Sequence, residues 1–181
     1  MKFLLLSCCA PCSCAVIKTL AEKAEDFEVV FYNPNVVPLS EYKKRCNENR
    51  RICEVYDIPF IELEYDHEKW NKQIAGLEQE PERGRRCEVC FYMRLKNVME
   101  YAKMRGITHV ASVLGVSRYK DLAQVNRAAY KAADETGVKY LEIEGRKGGM
   151  QELRCRLIKD FDLYNQRYCG CQFSMSEKTQ Q

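Results

Sequence analysis

Apolar residues recur along this chain in two alternating rhythms. Phe3-Leu4-Leu5-Leu6 is a continuous apolar run, the pattern of a strand buried on both faces. Ala15 to Ala24 then reads as a helix with Ile17, Leu20, Ala21 and Ala24 on one side. Phe27 to Tyr32 predicts a second strand, closed by the turn signal Asn33-Pro34-Asn35. Ser40 caps a predicted helix to about Asp57, on which Tyr42, Cys46, Asn49, Cys53 and Tyr56 fall three or four residues apart. Beyond Pro59, Phe60 to Tyr65 predicts a third strand and Asp66 to Ala75 a short helical piece. The polar stretch Glu78 to Arg86 leads into a helix to about Arg105, with Val89, Met93, Met99 and Ala102 inward. His109 to Leu114 and Val138 to Ile143 predict two more strands, with a helix from Lys120 to Glu135 between them. A glycine-rich loop precedes the last helix, which carries Met150, Leu153, Leu157, Ile158 and Phe161.

Strands alternating with helices at this spacing predict an α/β fold: a Rossmann-like, mainly parallel sheet flanked by helices on both faces. One domain is expected over residues 1–175, followed by a polar tail at 176–181. In such sheets ligands bind outside the carboxyl ends of the strands. Neither the spaced glycines of a dinucleotide site nor a Walker-type loop follows the first strand. Cysteines stand there instead.

The chain has 181 residues, 46% of them apolar, enough for one real core. With 29 basic and 26 acidic residues the formal charge is +3, which neither demands nor excludes a nucleic-acid partner. No apolar run reaches the length of a membrane span, and Met1-Lys2 leads directly into the first strand without the regions of a signal peptide. A cytoplasmic protein with no membrane partner is expected. Eleven cysteines are far more than packing requires, and their odd number forbids complete pairing within the chain. In a reducing compartment they point to metal or redox chemistry.

Cys8-Cys9 and Cys87-x-x-Cys90 offer four thiolates from two loops, each feeding the N-terminus of a helix. Four is the number taken by an iron-sulfur cube or by a structural zinc. Adjacent cysteines on a regular strand face opposite ways, so both reach one centre only where the chain has turned, as Pro11 favours. Cys169-Gly170-Cys171 can form a strained, reducible disulfide or hold one metal. Cys12, near the rim, is a candidate for a second metal together with Cys169 and Cys171. Cys14, Cys46 and Cys53 read as small core hydrophobes, and Cys155 has no assigned role. His67 and His109 are the only histidines, which excludes a multi-histidine metal site. Trp70 reads as a lone aromatic on a short helix. Three loops concentrate basic residues: Arg83 to Arg86, Arg118 to Lys120, and Arg146-Lys147. Arg118, Lys120, Arg146 and Lys147 lie after strands four and five, on the same rim as the thiols, where they are candidates to hold RNA phosphates.

The motifs Ser7-Cys8-Cys9-Ala10-Pro11-Cys12, Tyr32-Asn33-Pro34-Asn35, Cys87-x-x-Cys90 with Arg94-Leu95, and Tyr164-x-x-x-Tyr168-Cys169-Gly170-Cys171-x-Phe173-Ser174 together resemble QueH-type epoxyqueuosine reductases over nearly the whole length. The resemblance implies an oxidoreductase that removes the epoxide oxygen of epoxyqueuosine at the wobble position of tRNA, giving the alkene of queuosine. It implies that Cys8, Cys9, Cys87 and Cys90 bind a [4Fe-4S] cluster and that Cys169 and Cys171 are a redox-active pair, or else ligands of a second, mononuclear iron. It also implies an electron donor, which the sequence does not identify. Where the family runs serine-proline-lysine after strand four, this chain has Ser117-Arg118-Tyr119-Lys120. A zinc-stabilised RNA-binding module without redox activity is the alternative from another class.

Overall fold

The computed structural model describes residues 1–118 and 120–174; the expected tail at 176–181 and Tyr119 lie outside them. Five strands form one sheet: β1 (Phe3–Ser7), β2 (Phe27–Phe31), β3 (Phe60–Glu62), β4 (His109–Ser112) and β5 (Lys139–Leu141). Six α-helices separate or follow them: α1 (Ala10–Glu22), α2 (Leu39–Val55), α3 (His67–Gln73), α4 (Arg85–Met104), α5 (Leu122–Thr136) and α6 (Met150–Asp160). The strand order is β3-β2-β1-β4-β5 and every pairing is parallel, as the alternating pattern requires. Among the described residues no helix is long and apolar enough to cross a membrane.

β1 is the middle of the sheet. Leu5 pairs with Val29 of β2 on one side and Ala111 of β4 on the other, and all five β1 residues are buried. The order reverses at β1, so the crevice of the fold opens between the carboxyl ends of β1 and β4. Those ends carry Cys8-Cys9 and the loop that holds Arg118 and Lys120.

Several boundaries differ from expectation, and the first difference shapes the site. α1 begins at Ala10 rather than Ala15, with Pro11 in its first turn, where a missing N–H costs nothing and the fixed φ suits a helix. It ends at Glu22, and Ala24 sits at φ 53 in the left-handed region instead of on the helix face. Ser40 lies inside α2, which starts at Leu39 behind Pro38. Asp121, not the chain at Lys120, caps α5 by accepting from the backbone N–H groups of Ala123 and Gln124. β3, β4 and β5 are shorter than their apolar runs, because hydrogen-bonded pairing stops where the chain leaves the neighbouring strand.

Beneath the crevice a buried polar network fixes the β1–α1 turn. Asn49 of α2, fully buried, accepts from the hydroxyls of Ser7 and Ser13 and donates to the Arg45 carbonyl. Asn33 donates to the Ser7 carbonyl at 3.0 Å. These bonds hold the end of β1 and the start of α1 in one arrangement. Replacing Asn49 with Leu leaves the buried Ser7 hydroxyl without its acceptor and Ser13 with only the Cys9 and Ala10 carbonyls. The expected loss is about 2–4 kcal/mol in urea denaturation at unchanged m-value, accompanied by a lower metal content of the purified protein.

Candidate metal centre and cleft

The early start of α1 gathers three sulfurs. Cys9 occupies the N-cap position in an extended conformation, Cys8 directly follows the last strand residue Ser7, and Cys12 lies in the first turn of the helix. The Sγ atoms of Cys8, Cys9 and Cys12 lie within 4.8 Å of one another, with Cys8 and Cys9 3.7 Å apart. The backbone N–H groups of Cys12 and Ser13 bond to the Cys9 carbonyl, so the turn itself is closed. The positive end of α1 favours negative charge here.

The three buried thiols do not ionise alike. Cys8 is drawn well below the ordinary thiol range by hydrogen bonds from Cys12 and Cys9, and Lys120 and Arg94 add their charge. Cys9 gains from a hydrogen bond with Cys12, yet its bond to Cys8 and its burial push it up to about 12. Cys12 is pushed well up by its bonds to Cys8 and Cys9 and by burial. Of the three, only Cys8 is shifted toward the thiolate. Lys120 Nζ stands 3.6 Å from Cys8 Sγ. Burial opposes its charge, but attraction to Cys8, and after it to Cys169, holds its proton more firmly than usual.

Among the described residues Cys87, Cys90, Cys169 and Cys171 stand outside that close group of three. Cys87 and Cys90 lie in the first two turns of α4, whose N-cap is Gly84. Burial, followed by the nearby Cys169 and Cys90, pushes Cys87 up to about 12. Burial also raises Cys90, opposed by Arg94 and Trp70. Cys169 is pushed up to about 11 by burial, against the pull of Lys120. Arg94, buried, thus acts on Cys8, Cys90 and Cys169, and Lys120 on Cys8 and Cys169.

The segment that carries Cys169 and Cys171 has little regular structure of its own and is tied down by α2. Arg45, buried in that helix, donates to the Cys169 carbonyl at 2.8 Å and the Tyr168 carbonyl at 3.1 Å while pairing with Glu41 at 2.7 Å. The Tyr168 hydroxyl donates to the Val37 carbonyl, and the Val37 N–H to the Gly170 carbonyl at 2.9 Å. Gly170 sits at φ +130, and a Cβ there would come within 2.9 Å of Val36 Cγ2 and 3.0 Å of Arg45 Nη1. Cys169 faces the cleft, whereas Cys171 packs with Trp70, Ile74, Cys90 and Met93 and bonds to the Ser174 hydroxyl.

The cleft itself measures about 820 Å³ and is lined by Cys8, Cys9, Cys12 and Cys169 together with Arg45, Lys120, Arg154 and Tyr168. Its basic rim is narrower than the sequence suggests. Arg146 is turned inward, donating to the carbonyls of Gly115, Ser117 and Lys120, so it shapes the loop that presents Lys120. Arg86 is likewise buried against the carbonyls of Leu77, Glu78 and Glu80 and over the Phe173 ring. Arg118 and Lys147 are exposed, the latter 3.7 Å from Glu144. Another concavity, of about 690 Å³ on the outer face of α5, contains no thiol.

Residues 3–177 match the family model described as epoxyqueuosine reductase QueH. The chain belongs to the epoxyqueuosine reductase QueH family. It is 42% identical over 177 residues to the epoxyqueuosine reductase QueH of Histophilus somni, covering 97% of this chain and 73% of that protein. To the QueH of Haemophilus influenzae it is 41% identical, covering 97% and 72%, and to that of Acinetobacter baylyi 40% identical, covering 97% and 81%.

Arg45, Asn49, Arg154 and Trp70 were not singled out by sequence as site residues. A signal for Arg45 exists: a charged residue on the apolar stripe of α2, three beyond Tyr42 and four before Asn49, must be buried with a partner. Arg154 reaches the Pro11 carbonyl at 2.6 Å from another helix, a contact with no local signature. For Gly170→Ala, strain and the clash with Val36 and Arg45 are expected to cost about 1–3 kcal/mol. The Cys169 carbonyl then leaves Arg45, and thermal melts together with metal analysis should register a less stable, metal-poor protein.

Proposed function

We propose that this chain is an epoxyqueuosine reductase acting on tRNA that carries epoxyqueuosine at the wobble position. The observation that carries it is the buried sulfur group of Cys8, Cys9 and Cys12 at the wall of an open cleft that Cys169 and Lys120 also line. Soft thiolates in this number select iron-sulfur clusters, zinc or copper(I) rather than hard cations. The donors fit a cluster in a second respect, since Trp70 Nε1, among the described residues, is buried without an acceptor in good hydrogen-bond geometry and turned toward Cys90.

In this reading Cys8, Cys9, Cys87 and Cys90 hold a [4Fe-4S] cluster, and Cys12, Cys169 and Cys171 provide either a second iron site or a redox-active pair. Bound there, such a centre supplies single electrons and, at an iron with an open position, a Lewis acid. The reaction needs two electrons, from an external one-electron donor, and two protons: both C–O bonds of the epoxide break, the alkene forms and the oxygen leaves as water. Lys120 carries a proton on the cleft wall, and Arg94 and Lys120 offset the negative charge of the thiolates. Arg118 and Lys147 on the exposed rim serve the RNA phosphates, while Arg146 positions the Lys120 loop.

One observation favours a second reading, a zinc-stabilised RNA-binding module. The 3.7 Å between Cys8 and Cys9 sulfurs equals the edge of a tetrahedron around a single ion, about 3.8 Å for metal–sulfur bonds near 2.3 Å. Elemental analysis of protein prepared without oxygen separates the two. Iron with labile sulfide, bleached by dithionite, supports the reductase; one zinc per chain with no sulfide supports the module. Cys87→Ala is expected to lose the sulfide, the visible absorption and turnover together. Turnover that survives the loss of this thiol would rule out its assignment as a ligand.

A further inference from the structure

The short helix α3 presents its single large apolar residue to the sulfur pole. Asp66 caps it by accepting from the Lys69 N–H at 2.8 Å, and one turn later Trp70 points inward, 1% exposed. The indole is held on both faces. His67 stacks on it at 5.5 Å and 18°, itself fixed by its Nδ1 contact of 2.7 Å with the Pro34 carbonyl. Phe173 lies 6.3 Å away on a ring that the Arg86 guanidinium covers. The plane and direction of the N–H are therefore set before any metal arrives.

Among the described residues that buried N–H meets no acceptor in good hydrogen-bond geometry. A buried donor left in this state is costly, which is hard to sustain in a pocket so tightly built. The polar atom it addresses is the sulfur of Cys90, in the same buried group as Met93 and Cys171. A neutral thiol is a weak acceptor; a metal-bound thiolate is a strong one. Hydrogen bonds to cluster sulfurs stabilise the more negative, reduced state and raise its potential.

We propose that Trp70 is a positioning residue for the metal centre, donating its indole N–H to the Cys90 sulfur and thereby making the centre easier to reduce. This rests on Cys90 being a ligand of the proposed cluster. Trp70 is the only tryptophan in the chain, so a labelled tryptophan alters this donor alone. The test compares three oxygen-free preparations: wild type, Trp70→Phe, and wild type grown on 5-fluorotryptophan, whose N–H is a stronger donor. Iron and sulfide are measured first, then the midpoint potential by dye-mediated titration followed optically. Equal iron and sulfide in all three is expected. Trp70→Phe should shift the reduction equilibrium roughly threefold to tenfold toward the oxidised form, tenfold being about 59 mV for one electron. The fluorinated protein should move the opposite way, and it answers the question even where Trp70→Phe fails to fold. Equal potentials in intact centres would overturn the role of Trp70 and leave the cluster standing. A wild type without iron and sulfide would instead remove Cys90 as a ligand, and this proposal with it.

Discussion

One buried guanidinium joins the two halves of the sulfur pole. Arg94, 1% exposed in the middle of α4, donates to the Tyr32 carbonyl at 3.2 Å and to the Asn33 side chain, and Asn33 in turn holds the Ser7 carbonyl. The helix that carries Cys87 and Cys90 is thereby locked to the carboxyl ends of β2 and β1. The cation cannot move away without leaving those acceptors unpaired in a buried site. Its charge is spent twice, since it also reaches Cys8, Cys90 and Cys169. Position and electrostatics follow from the same contact.

Arg45 repeats the device for the terminal segment. A stretch without regular structure cannot satisfy its own backbone groups, so residues 168–170 borrow partners from α2 and from the loop at Val37. The side chain of Glu41 fixes Arg45 and also accepts from the Tyr164 hydroxyl, while Glu48 accepts from the Tyr164 N–H. The result is a pair of cysteines that depends for its place on a helix more than a hundred residues earlier in the chain. Gly170 is required because the loop passes too close to that helix for any side chain.

These long-range ties mark the boundary of what a sequence discloses. The alternation of apolar runs was sufficient for the strand and helix order and for a parallel sheet, because burial on two faces leaves a local imprint on every strand. The thiols were visible as candidates, since their number has no packing explanation. Their grouping was not: whether Cys12 joins Cys8 and Cys9 depends on α1 starting at Ala10, which Pro11 permits but does not announce. Basic residues were the least legible. Arg86, Arg118 and Arg146 look alike in a string of letters, yet two of them fold inward onto carbonyls, and only the third dimension separates them.

The sulfurs that result are not equivalent, and the difference has a direction. Cys8, Cys9, Cys12 and Cys169 border a polar cleft with Lys120, where charge is screened by an ammonium and by water. Cys90 and Cys171 pack away from it among Trp70, Ile74, Met93 and Phe173, where burial raises the Cys90 thiol against the pull of Arg94 and Trp70. A centre held by both sets would have one side open to the cleft and the other packed against apolar side chains. A redox site that must discharge into a bound molecule gains from that asymmetry, whereas a metal that only ties two loops together has no use for it.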